Sequence, residues 1–324
     1  MALADILVLG RMNALVEEEL PKHFTIHRIG REDVASLDPA LGERITAIAG
    51  GAHVPVDAEL LGKLPNLEIV ANFGVGYDSV DARLCGEKGI CVTNTPEVLS
   101  EEVADTALGL MLMTVRELGA AERHLRAGKW VSEGPYPLTR ASLQNRTLGI
   151  LGLGRIGKAI ARRAEAFGMD IHYHGRTRQD DVAYTYHDTL TGLAEAVDTL
   201  MVVAPGGAST KGIVNAEVLS ALGPEGIVIN VGRGTVIDEP ALVKALQDGT
   251  ILSAGLDVFE KEPQVPAELI AMDNVVLLPH VGSASHLTRN RMGQLVVDNL
   301  LGWFNDGRPV TPVAETPFTR RKQG

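Results

Sequence analysis

Three glycines in the run Gly152-Leu153-Gly154-Arg155-Ile156-Gly157 are spaced to hold a diphosphate. They follow the apolar run Leu148 to Gly152 and open a segment with Ile156, Ile160, Ala164 and Phe167 at helical spacing. That is the strand–turn–helix setting a dinucleotide site requires. Gly152 permits the tight turn, Gly154 lets the backbone approach a pyrophosphate, and Gly157 lets the helix lie close to the strand. The first helical residues, Arg155 and Ile156, offer unpaired N–H groups and the positive end of the helix dipole to the anion.

The end of the next strand discriminates between dinucleotides. An Asp or Glu there holds a ribose 2′-OH, whereas an Arg accommodates a 2′-phosphate. The chain reads Tyr173-His-Gly-Arg-Thr-Arg178, with no acid at the strand's end. Gly175, Arg176 and Thr177 form the turn, and the Arg176 guanidinium can grip a phosphate with paired donors. Arg178 adds charge, while Asp180 and Asp181 come later than the turn would place them. The reading is NADP (NADPH) in preference to NAD; a merely solvated basic loop is the alternative.

These residues need a scaffold of alternating strands and helices, and the chain has one. Ile6–Leu9, Ile45–Ala49, Leu67–Ala71 and Ile90–Thr93 read as strands of a first doubly wound block. A helix over Asp57 to Leu64 stops at Pro65. A second, longer helix begins near Ser100, which can cap it, with Glu101 and Glu102 against the positive end of its dipole. Val103, Ala104, Ala107, Leu108, Leu110, Met111 and Met113 make that helix apolar nearly all round, so it is expected to be buried. An irregular stretch over 128–139 follows. Further strands are expected at 148–152, 171–173, 199–203, 226–230, 252–256 and 275–278, and a final helix over 286–304 carries Met292, Leu295, Val296, Leu300, Trp303 and Phe304 on its apolar side.

Composition narrows the class. With 324 residues, 45% hydrophobic and 22% charged, the chain is of ordinary globular make-up and of a length for about two domains. Thirty basic against 41 acidic residues give a net charge of −11, which disfavours a phosphate backbone as partner, so no nucleic acid is expected. The one concentrated basic run, Arg320-Arg321-Lys322, reads as a solvated tail. No apolar run reaches the roughly 18 residues of a membrane span. Acid stands near the N-terminus where an export signal needs Lys or Arg. Cys85 and Cys91 cannot staple so long a chain, and no Cys/His cluster has metal spacing. The expectation is a reduced, cytoplasmic protein without a bound metal.

Four stretches together resemble one family over nearly the whole chain: Asn72 to Asp81 (NFGVGYDSVD), Gly152 to Gly157, Asn230-Val-Gly-Arg-Gly234 with Asp238, and Leu256 to Pro263 (LDVFEKEP) leading to Leu278-Pro-His-Val-Gly-Ser283. The combination is similar to the D-isomer-specific 2-hydroxyacid dehydrogenases. Gly175-Arg-Thr177 and Gly282 to Asn290 most resemble the branch of NADPH-dependent glyoxylate/hydroxypyruvate reductases and their hydroxyphenylpyruvate-reducing relatives. The resemblance implies two α/β domains with doubly wound parallel sheets, Rossmann-like and flavodoxin-like, and an active-site cleft between them. Residues 1–98 with 285–324 would form the substrate domain, and residues 99–284 the inserted dinucleotide-binding domain.

The resemblance also implies a catalytic triad of Arg233, Glu262 and His280 reducing a 2-keto acid to the D-2-hydroxy acid. His280, just after a strand, would donate the proton. Glu262 would pair with it and favour the imidazolium. Arg233, between Gly232 and Gly234, would clamp the substrate carboxylate and polarise the keto oxygen. Backbone amides at Val75 and Gly76 would form a nest for the carboxylate, a plain turn being the competing reading. Ser283 would add a polar group near the substrate, and Asp257 would contact the nicotinamide carboxamide. Trp130 matches a tryptophan that in the reductase branch reaches a partner subunit's site, so a homodimer is expected; ordinary packing is its other reading. Substrate size would depend on loops near His53, Tyr77, Trp130 and Tyr136. The Ala204-Pro-Gly-Gly-Ala-Ser-Thr210 loop departs from a bulkier Pro-Leu-Thr element of many relatives. Two other readings are an NAD-dependent D-lactate or phosphoglycerate type dehydrogenase, against which the missing strand-end acid argues, and a corepressor-like nucleotide-sensing protein.

Overall fold

A computed structural model describes residues 2–51 and 54–316. His53 and Arg320-Arg321-Lys322 lie outside the described residues. The chain divides into two compact units, Met1–Leu99 with Ser285–Gly324, and Ser100–Ala284.

The first unit is built on a parallel sheet of order β2-β1-β3-β4-β5. Its strands are β1 (Asp5–Leu9), β2 (Thr25–Ile29), β3 (Ile45–Gly50), β4 (Ile69–Asn72) and β5 (Cys91–Thr93). Alternation along the strands divides the core. Leu7, Leu9, Ile48, Val70 and Val92 face one layer, while Ile6, Val8, Ala47, Ala49, Ile69 and Ala71 face the other. The second layer is closed by the helix His286–Leu301 through Val296, Val297 and Leu300, which is why the C-terminal segment belongs to this unit.

The second unit carries a parallel sheet of order β12-β11-β10-β9-β6-β7-β8. Its strands are β6 (Thr147–Leu151), β7 (Asp170–His174), β8 (Thr185–Tyr186), β9 (Thr199–Val202), β10 (Ile227–Asn230), β11 (Ser253–Leu256) and β12 (Val275–Leu277). The order runs one way from β6 through β8 and resumes on the other side of β6 with β9, the topology in which ligands bind beyond the carboxyl ends of the strands. The apolar helix Ser100–Val115 packs on β10, β11 and β12 and along the helix Arg155–Ala166. Arg163 ties the two helices by ion pairs to Glu101 at 2.8 Å and Asp105 at 2.6 Å.

Four details differ from the sequence reading. β2 was not expected: Thr-Ile-His-Arg-Ile is half polar, as suits a sheet edge rather than a buried strand. β8 is likewise a two-residue edge addition. The long helix stops at Val115, and Glu117 takes a left-handed φ of 51° before a further helix, Leu118–Arg126, with a one-turn helix Lys129–Ser132 inside the stretch read as irregular. The last helix ends at Leu301 and widens into a π turn over Gly302–Asp306, which lets the Trp303 indole N–H reach Glu68 at 2.8 Å.

Candidate active site

In the second unit, Arg233, Asp257 and His280 follow β10, β11 and β12, three neighbouring strands, at their carboxyl ends. Strand spacing of about 4.8 Å brings such positions within side-chain reach of one another. Each is held by a short-range device. Asn230, 1% exposed, accepts the Gly232 N–H at 3.0 Å and donates its side-chain amide to the Arg233 carbonyl at 3.0 Å, fixing the turn that carries the guanidinium. Asp257, also 1% exposed, accepts the Val281 N–H at 2.7 Å on one carboxylate oxygen and the Gly282 N–H at 2.8 Å on the other. Its carbonyl accepts the His280 N–H at 2.9 Å. His280 sits there with φ of 53°, a left-handed conformation that His tolerates better than most residues and that those three bonds hold in place.

Glu262 reaches this group from the loop after β11. Its Oε2 accepts from His280 Nδ1 at 2.6 Å, and its Oε1 accepts the Phe259 N–H at 3.1 Å. The approach depends on Gly234, where a Cβ would overlap the backbone of Phe259. With a side chain at that position, the Arg233 turn and the 259–262 loop could not lie against each other. Glu239, the first residue of the helix Glu239–Gln247, accepts the Glu260 N–H at 3.2 Å and steadies the same loop. Burial by itself would raise the Glu262 carboxyl, but the hydrogen bond and charge of His280, the Phe259 N–H and the nearby Arg233 charge bring it below the ordinary carboxylate range. Burial pushes the Asp257 carboxyl up, against the pull of the Val281 and Gly282 amides.

Because Nδ1 carries the proton given to Glu262, Nε2 is the His280 nitrogen left to exchange a proton with a ligand. The His280 side chain keeps 44% of its surface accessible. Ser283 is buried at the foot of this loop. The arrangement is an acid–base imidazole backed by an ionised carboxylate, with a guanidinium close enough to bias that carboxylate.

The glycine turn lies beyond β6 on the same edge of the sheet. Gly152 has a φ of 99°, and a Cβ at Gly157 would overlap the Gly152 carbonyl, so helix and turn are in direct contact. A Cβ at Gly154 meets nothing. The turn is therefore closed on its helix side and open on its outer side, beside the start of the helix Arg155–Ala166, as a diphosphate requires. Gly175 follows β7, and Arg176, Thr177 and Arg178 are exposed. The rival acid Asp181 is drawn away to Lys158, at 2.7 Å.

In the first unit, Asn72 donates its side-chain amide to the carbonyls of Gly74 and Gly76, each at 3.1 Å, and Asn94 donates to that of Val75 at 2.9 Å. These bonds turn three carbonyls of the loop toward protein donors. Tyr77, next in the chain, donates to Glu315 at 2.9 Å. Trp130 stands 61% exposed, and Tyr136 donates to Glu117 at 2.8 Å. Of these supports, Asn230, Asp257 in its loop-holding part and Glu239 were not read as such from the sequence. An Asn two residues before a glycine at a strand's end was the available sign for the first.

Residues 108–282 match the family described as D-isomer specific 2-hydroxyacid dehydrogenase, NAD binding domain. The chain is 47% identical over 309 residues to a glyoxylate/hydroxypyruvate reductase A of Arabidopsis thaliana, covering 95% of this chain and 98% of that one. It is 45% identical, with the same coverage, to a hydroxyphenylpyruvate reductase of Plectranthus scutellarioides. Among solved structures, an NADPH-dependent glyoxylate/hydroxypyruvate reductase from Sinorhizobium meliloti, in complex with NADP and malonate, superposes with a TM-score of 0.96 at 57% identity, covering 99% of this chain and 100% of that one. An imidazole–carboxylate pair and a guanidinium on the strand ends that also carry a dinucleotide turn, in a chain so closely matched along its length, make this protein a member of the D-isomer specific 2-hydroxyacid dehydrogenase family.

Proposed function

We propose that the protein reduces a 2-keto acid of the glyoxylate/hydroxypyruvate class to the D-2-hydroxy acid, using NADPH. The observation that carries this reading is the 2.6 Å contact between Glu262 and His280, with the Arg233 charge acting on the same carboxylate, on the sheet edge that bears Gly152 to Gly157. The bound coenzyme supplies the hydride. His280 delivers the proton to the keto oxygen from Nε2, leaving a neutral imidazole whose Nδ1–H remains on Glu262. Glu262 accepts from Nδ1 and faces the ring with a negative charge before transfer. Arg233 holds the substrate carboxylate and polarises the keto oxygen with its planar fork. Val75 and Gly76 offer backbone amides to a carboxylate, and Ser283 a hydroxyl. Asp257, besides fixing the His280 loop, is assigned to the nicotinamide carboxamide.

The unit Ser100–Ala284 is assigned the dinucleotide and the other unit the substrate. Gly152, Gly154, Arg155, Ile156 and Gly157 cradle the pyrophosphate; Gly175, Arg176 and Thr177 receive the 2′-phosphate. Two facts support NADPH: Arg176 and Arg178 stand exposed at the strand-end turn, where no acid lies, and the Sinorhizobium meliloti relative is described as NADPH-dependent. A homodimer is supported by the segment 118–138, where the helix Leu118–Arg126 buries no residue and Leu118, Leu125, Trp130, Val131 and Leu138 are all exposed. No helix among the described residues is long and apolar enough to cross a membrane. A cytoplasmic site is proposed from the two free, buried cysteines, Cys85 and Cys91.

The test is NADPH oxidation against a panel of 2-keto acids, repeated with NADH and with His280→Ala. The reading requires turnover of short 2-keto acids, preference for NADPH, and loss of nearly all activity in the variant. Undiminished turnover by His280→Ala would remove that residue from its role.

A further inference from the structure

We propose that Gln179 is a positioning residue for coenzyme choice, setting the distance between the arginine loop and the glycine turn. This rests on the reading that Arg176 receives the 2′-phosphate. The chain leaves β7 at His174, runs through Gly175-Arg-Thr-Arg178 and is caught again at Gln179. The catch is Tyr173, whose ring is 1% exposed and packs against Tyr186 with centroids 5.2 Å apart. Its hydroxyl accepts the Gln179 N–H at 2.7 Å, and lies 3.4 Å from the Gln179 carbonyl as donor. The excursion therefore closes on the residue just before it began, and Arg176, Thr177 and Arg178 form its exposed tip.

The Gln179 side chain then reaches out of this loop. Its Nε2 donates to the Leu153 carbonyl at 2.7 Å, inside the Gly152-Leu153-Gly154 turn. One side chain thus links the element assigned to the 2′-phosphate to the element assigned to the pyrophosphate. The Gly152 N–H donates to the His174 carbonyl at 2.9 Å, which fixes the start of the excursion and not its tip; a second side-chain link, Lys158 to Asp181, joins a carboxylate that is 69% exposed and contributes little. A ligand that engages only the glycine turn gains nothing from a fixed tip; a ligand that engages both sites gains the ordering already built into the loop. Gln179 acts through Arg176 and touches no reacting atom.

The experiment compares Gln179→Leu, Tyr173→Phe and Arg176→Ala with the unaltered protein, measuring kcat and KM for NADPH and for NADH at saturating keto acid. For Gln179→Leu and Tyr173→Phe, the KM for NADPH rises about three- to tenfold, with kcat and the KM for NADH unchanged. A parallel rise in both KM values, a loss of kcat with both coenzymes, or an unchanged NADPH-to-NADH ratio overturns the proposal. If Arg176→Ala also leaves the ratio unchanged, the parent reading of the loop fails; if Arg176→Ala collapses the ratio and the Gln179 variant does not, only the positioning role fails.

Discussion

Glu262→Gln removes the carboxylate charge at constant shape, and its single amide oxygen can meet His280 Nδ1 or the Phe259 N–H but not both. The wild-type contact is a charge-assisted bond of 2.6 Å. Its two side chains are 44% and 34% accessible, so neither the buried-pair nor the fully exposed-pair regime applies. A hydrogen bond to a charged group contributes about 1.5–3 kcal/mol, and solvent screening places this one at the lower end. A loss of about 1.5 kcal/mol corresponds to about a tenfold fall in kcat/KM for reduction. The pH profile carries the sharper signature. His280, the Phe259 N–H and Arg233 outweigh burial and hold the Glu262 carboxyl below its ordinary range. A carboxyl depressed in the folded state contributes its charge fully above the ordinary value and loses it only as pH falls through the lowered one. Glu262 is therefore a constant anion across neutral pH, and the factor lost in the amide variant should be the same throughout that range. As pH falls through the lowered carboxyl range, the unaltered protein should lose the same contribution and the two rates should converge. Initial rates of NADPH oxidation from about pH 4 to 8 measure both effects. A deficit that stays undiminished at the acid end would mean that Glu262 only orients the ring, and no loss would mean that the pair is idle in the reaction.

Three further outcomes follow from the same geometry. Gly234→Ala forces a Cβ into the Phe259 backbone, so the Arg233 turn and the Glu262 loop must separate; activity should fall at least about a hundredfold, since displacements of about 1 Å already carry that cost. Asp257→Asn places an amide against the Val281 or Gly282 N–H; a loss of about 2 kcal/mol is expected, lowering Tm by about 4–8 °C in calorimetry, and an unchanged Tm would deny it the loop-holding role. Burial pushes the Cys85 thiol up to about 12 and the Cys91 thiol up to about 11; intact-mass measurement after iodoacetamide at about pH 8 should find neither alkylated in the native protein and both alkylated in urea.

What the residues alone disclosed, and what they withheld, has a common physical cause. The glycine turn, the Arg176 loop and the positions of Arg233 and His280 are each spelled within a few residues of a strand's end, where a tight turn or a fixed charge leaves a local mark. Their convergence is topological: consecutive βα units set the ends of β10, β11 and β12 side by side, so three residues far apart in sequence become neighbours once the strands are recognised. The supports work differently. Asp257 holds the His280 loop only because β11 lies beside β12, and Glu239 steadies Glu260 only because the first residue of its helix meets that loop. Neither carries a local mark, since a buried acid and a helix-start acid are each unexceptional. The break at Glu117 is silent for another reason: a non-glycine residue at φ of 51° is imposed by its surroundings, not chosen by its side chain. Reactive groups must therefore be advertised by the backbone that presents them, while the groups that hold them still are defined by neighbours that only the folded sheet supplies. Gly234 belongs to both classes, a turn residue in sequence and the clearance for Glu262 in space, which is why its substitution tests the assembled site and not the turn alone.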